Sequence, residues 1–257
     1  MSTAHCFNSK AAAFSLSFDD ARPSQIESGV PALDQYGIKG TFYVYDGENR
    51  RIENNLEDWR AAAAAGHEIG NHSLRHPCSG NFRWIGPERA LENYTLDAIE
   101  DELIAANDLI FNLLGIKPVS YAYPCGLDFV GSGEQRRSYV PVVAKHFLTG
   151  RGYRNEYMND PAVADLAFLG AFGVDQISID EMIRLIERAI AEQAWIIFAA
   201  HEMPASDADK GMTTGNIARL CEWIQANADR LWCAPVGEVA ERIQSARTEH
   251  NAPVLNT

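Results

Sequence analysis

Short apolar runs alternate along this chain with longer stretches whose hydrophobic residues recur at helical spacing. Residues 12–18, 40–45, 67–71, 120–123, 147–149, 168–172 and 195–200 have the length and the β-branched or aromatic content of strands. The run Trp-Ile-Ile-Phe-Ala-Ala at 195–200 is the plainest of them. Between the strands, 25–36, 56–65, 93–114, 179–192 and 216–228 carry the i, i+3, i+4 pattern of amphipathic helices. Gly37, Gly66 and Gly115 stand where helices close in a left-handed residue, and Asp180 offers a helix start. Strand–helix alternation of this kind predicts a parallel sheet with helices outside it. There is no repeat and no Pro/Gly/Ser-rich linker, so the whole chain, 1–257, reads as one domain. The poorly patterned stretches 77–92 and 126–138 are candidate functional loops.

Polar residues of one chemical character follow several of these strands. Ser-Phe-Asp-Asp at 17–20 ends the first, and His-Ser-Leu-Arg-His at 72–76 follows the third. An Asp-Asp pair alone is usually a turn or cap, and a lone His-x3-His is weak. Together they gain weight, because parallel α/β folds place chemistry at the carboxyl ends of their strands. Asp20, His72 and His76 would give a divalent metal one oxygen and two imidazoles and leave positions open, the ligand count of a catalytic site. The i, i+4 spacing aligns the two imidazoles if the chain turns helical after the third strand. Asp19, beside the ligand, is placed to take a proton from water.

His201 ends the strand at 195–200, at the same expected end of the sheet. In Tyr-Ala-Tyr-Pro-Cys-Gly at 121–126, the Pro-x-Gly turn could present the Cys125 backbone N–H to a developing oxyanion. Arg151 follows the strand at 147–149 and could reach Asp19. His5, His67, His146 and His250 have no pattern of partners and read as structural or surface residues. There is no Gly-x-Ser-x-Gly elbow and no dinucleotide fingerprint, and Ala205 stands where a zincin helix needs its second histidine.

Composition narrows the partners more than the chemistry. The net charge of −13 repels polyanions, so neither nucleic acid nor anionic membrane is an expected partner. No apolar run reaches the ~18 residues of a membrane span, and the N-terminus lacks the pattern of an export signal, so a cytoplasmic location is expected. The 5 cysteines are odd in number and form no CxxC pair, which favours buried free thiols over a disulfide framework. Cys125 has no evident activating partner for a nucleophilic role.

At these residues the chain resembles the polysaccharide deacetylase family, the NodB-homology domain of carbohydrate esterase family 4. Ser-Phe-Asp-Asp is similar to that family's Thr-Phe-Asp-Asp motif, and His-Ser-Leu-Arg-His to its His-Ser/Thr-x-x-His motif. Gly-Ile-Lys-Gly-Thr-Phe-Tyr-Val at 37–44 and Gly-His-Glu-Ile-Gly-Asn-His at 66–72 supply matching context. The resemblance runs over roughly residues 12 to 243. It implies a distorted (β/α)7 barrel in the α/β class and metal-dependent removal of an acetyl group, usually an N-acetyl amide on a sugar. It also implies Asp19 as base, Asp20, His72 and His76 as metal ligands, and His201 as general acid. Zn2+ is the expected metal, with Co2+, Ni2+ or Mn2+ as alternatives. The third motif departs from the family's Arg-x-Pro-Tyr/Trp-Gly: Ala122 stands at the arginine and Cys125 at the aromatic. Arg151 is the candidate replacement for orienting Asp19.

An acetylated carbohydrate or a small amide is the expected substrate, with an O-acetyl esterase as the near alternative. A two-His, one-carboxylate iron oxygenase would use the same ligands but commonly has an all-β fold. A non-catalytic glycan-binding barrel would have no need of both aspartates and three candidate histidines.

Overall fold

Apolar runs too short to bury themselves pair side by side here, and the amphipathic helices cover the outside of the resulting sheet. The computed structural model describes residues 6–47 and 50–251; His5 lies outside them. In chain order the elements are β1 (Ala12–Asp19), α1 (Val30–Asp34, entered through a π turn at Gln25–Gly29), β2 (Thr41–Val44), α2 (Leu56–Ala64), β3 (Glu68–Asn71), α3 (Leu96–Leu114) and β4 (Ser120–Ala122). There follow a hairpin of β5 (Phe129–Val130) and β6 (Arg137–Ser138), α4 (Val140–His146), β7 (Thr149–Arg151), β8 (Phe172–Gly173), α5 (Ile179–Glu192), β9 (Trp195–Ala200), α6 (Thr214–Ala226), β10 (Leu231–Cys233) and α7 (Val236–Asn251).

Parallel strands pair in the order β7–β4–β3–β2–β1–β9–β8, and β10 joins the first residues of β1. The sheet curls until β7 approaches the segment leading into β8. Among the described residues that seam has one bridge, Arg151 with Leu169, where the Leu169 N–H donates to the Gly150 carbonyl at 2.7 Å. This is the distorted (β/α)7 barrel expected from the sequence, closed by a seam rather than by a full ladder.

Strand β1 shows how the sequence aims the chemistry. Side chains alternate faces with a period of two. Phe14, Leu16 and Phe18 join the large core cluster with Phe42, Phe198, Ile217 and Leu220. Phe14 meets Phe198 edge-on at 5.0 Å, and Phe18 stacks on Phe42 at 5.1 Å. The alternate positions are small, and Ser15 and Ser17 bury their hydroxyls by donating to the Ala234 and Phe198 carbonyls, each at 2.8 Å. Asp19 continues this second face. Helix α3 ends as expected, with Gly115 left-handed at φ 72° and its N–H donating to the Phe111 carbonyl at 2.8 Å.

Several boundaries move. The strand expected at 147–149 is β7, two residues later, which makes Arg151 its last residue. The strand expected at 168–172 shrinks to β8, because the chain before it is spent on the seam. No helix follows β3: residues 72–77 form a loop in which Ser73 and His76 take positive φ, 65° and 55°. That loop is built by side chains, with the Ser73 N–H donating to Asn71 Oδ1 at 2.6 Å and the His76 N–H to Ser73 Oγ at 2.9 Å. The stretch 126–138 contains the β5–β6 hairpin, whose two-residue strands carry too little alternation to read. Helix α7 does show helical spacing, with Val236, Val239, Ala240, Ile243 and Ala246 all buried.

Candidate active site

The carboxyl ends of the strands open into one cavity of about 590 Å³. Asp19, Asp20, His72, His76, Cys125 and His201 all line it, so the residues singled out in the sequence converge. Arg151 lies behind them, fully buried.

Three atoms able to bind a metal face one another here. Asp20 Oδ1 is 3.6 Å from His72 Nε2 and 3.4 Å from His76 Nε2, and the rings of the two histidines meet edge-on at 4.8 Å. His72 Nδ1 lies 2.9 Å from the Ala122 carbonyl. A carbonyl only accepts, so Nδ1 carries the proton and Nε2 turns its lone pair toward Asp20. Burial favours the neutral form of His72, and burial plus repulsion from His72 brings His76 down to about 3. Burial opposes charge on Asp20 too, but attraction to His72 and His76, which acts only while those rings carry a second proton, and to Arg22 outweighs it and holds the carboxyl below the ordinary range. Arg22 donates to Asp20 Oδ2 at 2.8 Å, whereas the buried Oδ1 has no hydrogen-bond partner. The His72 lone pair and the unpartnered carboxylate oxygen repel unless a cation lies between them, and His76 Nε2 stands within reach of the same point. The donor set therefore fits a divalent metal, and neutral imidazoles with one carboxylate suit Zn2+ and its neighbours.

Asp19 is held from behind. Arg151 donates from Nη2 to Asp19 Oδ1 and from Nη1 to the Gly152 carbonyl at 2.9 Å. Burial works against the guanidinium charge, but the Asp19 carboxylate outweighs it, so Arg151 stays charged. The Tyr43 ring lies against Arg151, with the guanidinium carbon 4.9 Å from the ring centre. A guanidinium thus reaches Asp19 from β7, although the third motif has Ala122 at its arginine position.

His201 has a partner that the sequence reading missed. Its Nδ1 lies 2.8 Å from Asp175 Oδ2, and its backbone N–H donates to Asp175 Oδ1 at 2.9 Å. Tyr153 donates its hydroxyl to the same carboxylate at 3.2 Å and sets its ring edge-on to His201 at 5.4 Å. Burial opposes charge on the imidazole, but the Asp175 hydrogen bond and the nearby carboxylates outweigh it, so His201 lies above the ordinary histidine value. Asp175 follows β8 by two residues, so an acidic residue just past a predicted strand was the available signal.

The cysteine expectation fails at two positions. Cys78 and Cys125 form a disulfide across 47 residues, while Cys6, Cys221 and Cys233 are free. An odd total hides one pair, and these two come together because the loop after β3 and the turn after β4 share the rim of one cavity. The bond also rules out Cys125 as a nucleophile. At Cys125 the backbone is left-handed, φ 56°, and the turn is closed by the Gly126 N–H donating to the Tyr123 carbonyl at 2.8 Å. The stretch 77–92 forms the opposite rim, with Phe82 and Trp84 41% and 54% exposed and stacked at 5.6 Å. His67 and His146 are structural or peripheral: His67 Nδ1 accepts from the Gly40 N–H at 3.1 Å, and His146 lies 2.6 Å from Glu100 near the surface.

The family profile described as polysaccharide deacetylase matches residues 8–132, a span that includes Asp19, Asp20, His72, His76 and Cys125. An uncharacterised Bacillus subtilis protein, YlxY, is 28% identical over 120 residues, which are 47% of this chain and 31% of that protein. The chain thus matches less than a third of that relative's length. Among solved structures, a Mycobacterium smegmatis protein provisionally assigned as a polysaccharide deacetylase superposes with a TM-score of 0.66 at 15% identity, over 96% of this chain and 94% of its own. A family 4 acetyl xylan esterase from Clostridium thermocellum, solved in complex with a cobalt ion, gives a TM-score of 0.55 at 16% identity, over 88% and 89% of the two chains. Likeness at these identities is likeness of fold. Residues 8–132 thus match the polysaccharide deacetylase profile, and the chain as a whole shares the fold of these two solved proteins.

Proposed function

We propose that this protein is a metal-dependent hydrolase that removes acetyl groups from N-acetylated sugars or their oligomers. The observation that carries the reading is the unpartnered, buried Asp20 Oδ1 facing the Nε2 atoms of two imidazoles, with Asp19 and His201 on the same cavity. A divalent ion held by Asp20, His72 and His76 would polarise the acetyl carbonyl and acidify water. Asp19, fixed through one oxygen by Arg151, offers its other oxygen to the proton of the attacking water. The Cys125 N–H donates to the oxyanion as it forms. His201, with Nδ1 committed to Asp175, passes the proton on Nε2 to the leaving nitrogen.

The Asp175–His201 pair favours an amide over an ester. An amine leaves poorly unless protonated, and a histidine whose carboxylate partner favours the protonated form serves that step. Cavity shape favours a sugar over a small amide. The exposed Phe82–Trp84 pair offers flat apolar faces to a pyranose, and a second cavity of about 470 Å³ continues past the shared Tyr45 and Arg89. The disulfide favours an oxidising compartment over the cytoplasm, because thiols stay reduced in the cytosol.

The test is acetate release from a panel of N- and O-acetylated sugars by metal-replete wild type and Asp19→Asn. Wild type is expected to act on N-acetylated sugars, and Asp19→Asn to retain metal and lose about 10²–10⁴-fold in turnover. No acetate from any acetylated sugar, or an unimpaired Asn variant, contradicts the proposal.

A further inference from the structure

His76 has two ring nitrogens, and the proposed hydrolysis uses one. Its Nε2 faces Asp20 and His72, while its Nδ1 lies 3.7 Å from Cys78 Sγ. His76, Cys78 and Cys125 bring one ligand atom each to within 4.8 Å of one another, the two sulfurs because they are bonded and His76 Nδ1 because its ring packs beside them. While the sulfurs are bonded to each other they are poor ligands. We propose that reduction of the Cys78–Cys125 disulfide creates a second, sulfur-containing metal site of His76, Cys78 and Cys125, which competes with the first ligand set for His76.

Three features support the proposal. The backbone holds both cysteines in place without the disulfide: the Cys78 N–H donates to the Arg89 carbonyl at 3.1 Å, its carbonyl accepts from Leu91 at 2.9 Å, and the Cys125 turn is closed by its own hydrogen bonds. Cys78 is buried but Cys125 lines the cavity, so a small reductant can reach the bond. The ligand chemistry also differs, since two thiolates and an imidazole prefer thiophilic ions while Asp20 adds a hard oxygen. Competition follows from the ring itself. A neutral imidazole offers one lone pair, so ligation through Nδ1 moves the proton to Nε2 and withdraws His76 from Asp20 and His72.

The redox step balances with an ordinary reductant. Two thiols, which pair into a disulfide, or a phosphine, which takes oxygen from water to become the oxide, supply two electrons. The cystine becomes two thiols, and each releases its proton when it binds the ion.

Cobalt(II) is the probe, because sulfur ligation adds an intense near-ultraviolet charge-transfer band that nitrogen and oxygen ligands lack. Titration with Co2+ is expected to give no such band in oxidised wild type. In phosphine-reduced wild type the band should saturate at one ion per chain, and it should vanish in the double variant Cys78→Ser/Cys125→Ser. No band in the reduced protein overturns the proposal. So does an undiminished band in the double variant, which would assign the sulfur to Cys6, Cys221 or Cys233. The competition clause rests on the reading of Asp20, His72 and His76 as ligands, and His72→Ala separates the two. Reduced His72→Ala should keep the thiolate band, whereas oxidised His72→Ala should lose cobalt. Full cobalt retention by the oxidised variant refutes the first site alone, and absence of the band in the reduced variant refutes the second.

Discussion

Replacing Asp175 by Asn keeps the shape of the His201 partner and removes its charge. Asn Oδ1 can still accept from the His201 backbone N–H, so the fold around the ring is preserved. What is lost is the charge-assisted hydrogen bond at 2.8 Å, which raises the His201 pKa against the opposing effect of burial. Such bonds contribute about 1.5–3 kcal/mol. At 1.36 kcal/mol per pH unit, that is a shift of about 1 to 2 units. The two side chains are 30% and 28% exposed, so solvent screening places the expected shift near the lower figure, about 1 unit. The sign follows from the role. A general acid works in its protonated form, so activity falls as pH rises through its pKa, and a lower pKa moves that basic limb to lower pH. The assay is the pH dependence of kcat/KM on an N-acetyl sugar, beside an NMR titration of the His201 ring in zinc-loaded protein. Both should move down together by about 1 unit. If both stay in place, or move up, Asp175 does not control His201 and the proton-donor assignment loses its physical basis.

Two further perturbations test the support beneath Asp19. Arg151→Met leaves the buried Asp19 carboxylate without its cation and should cost about 3–5 kcal/mol in urea unfolding, with turnover lowered; a loss below about 1 kcal/mol would show that the pair does not matter. Gly70→Ala places a Cβ 2.5 Å from the Tyr43 ring and 2.8 Å from Ser120 Oγ. Because Tyr43 lies against Arg151, the variant should lose about 1–3 kcal/mol of stability and also slow turnover. A wild-type rate in a destabilised Gly70→Ala would break the proposed link from Tyr43 through Arg151 to Asp19.

The sheet and most of the site were legible because they rest on local signals. Period-two alternation in β1 aims Asp19, and Asp20, His72 and His76 each follow a run that reads as a strand. Arg151 was reachable for the same reason, as a charged residue at the end of a short strand, even though that strand lies two residues from where the apolar pattern puts it. The partners across the cavity were not legible. Asp175 meets His201 over 26 residues and Cys78 meets Cys125 over 47, and such pairings are set by how the sheet curls rather than by spacing along the chain. At 72–77 the His-x3-His spacing would align the two imidazoles on a helix, but the chain forms a loop there. Its geometry comes instead from Asn71 and Ser73 capping backbone N–H groups, a competition that polar side chains often win over helix.

The central claim is that Asp20, His72 and His76 hold the metal on which hydrolysis depends. Its most direct test is a paired measurement of metal content and acetate release on the same samples of wild type, Asp20→Ala, His72→Ala and His76→Ala, before and after chelation and Zn2+ replacement. Wild type should bind one ion through this set, lose acetate release on chelation and recover it with Zn2+, while each alanine variant should lose both metal and activity. Full metal occupancy in all three variants, or undiminished acetate release from metal-free wild type, would contradict the account.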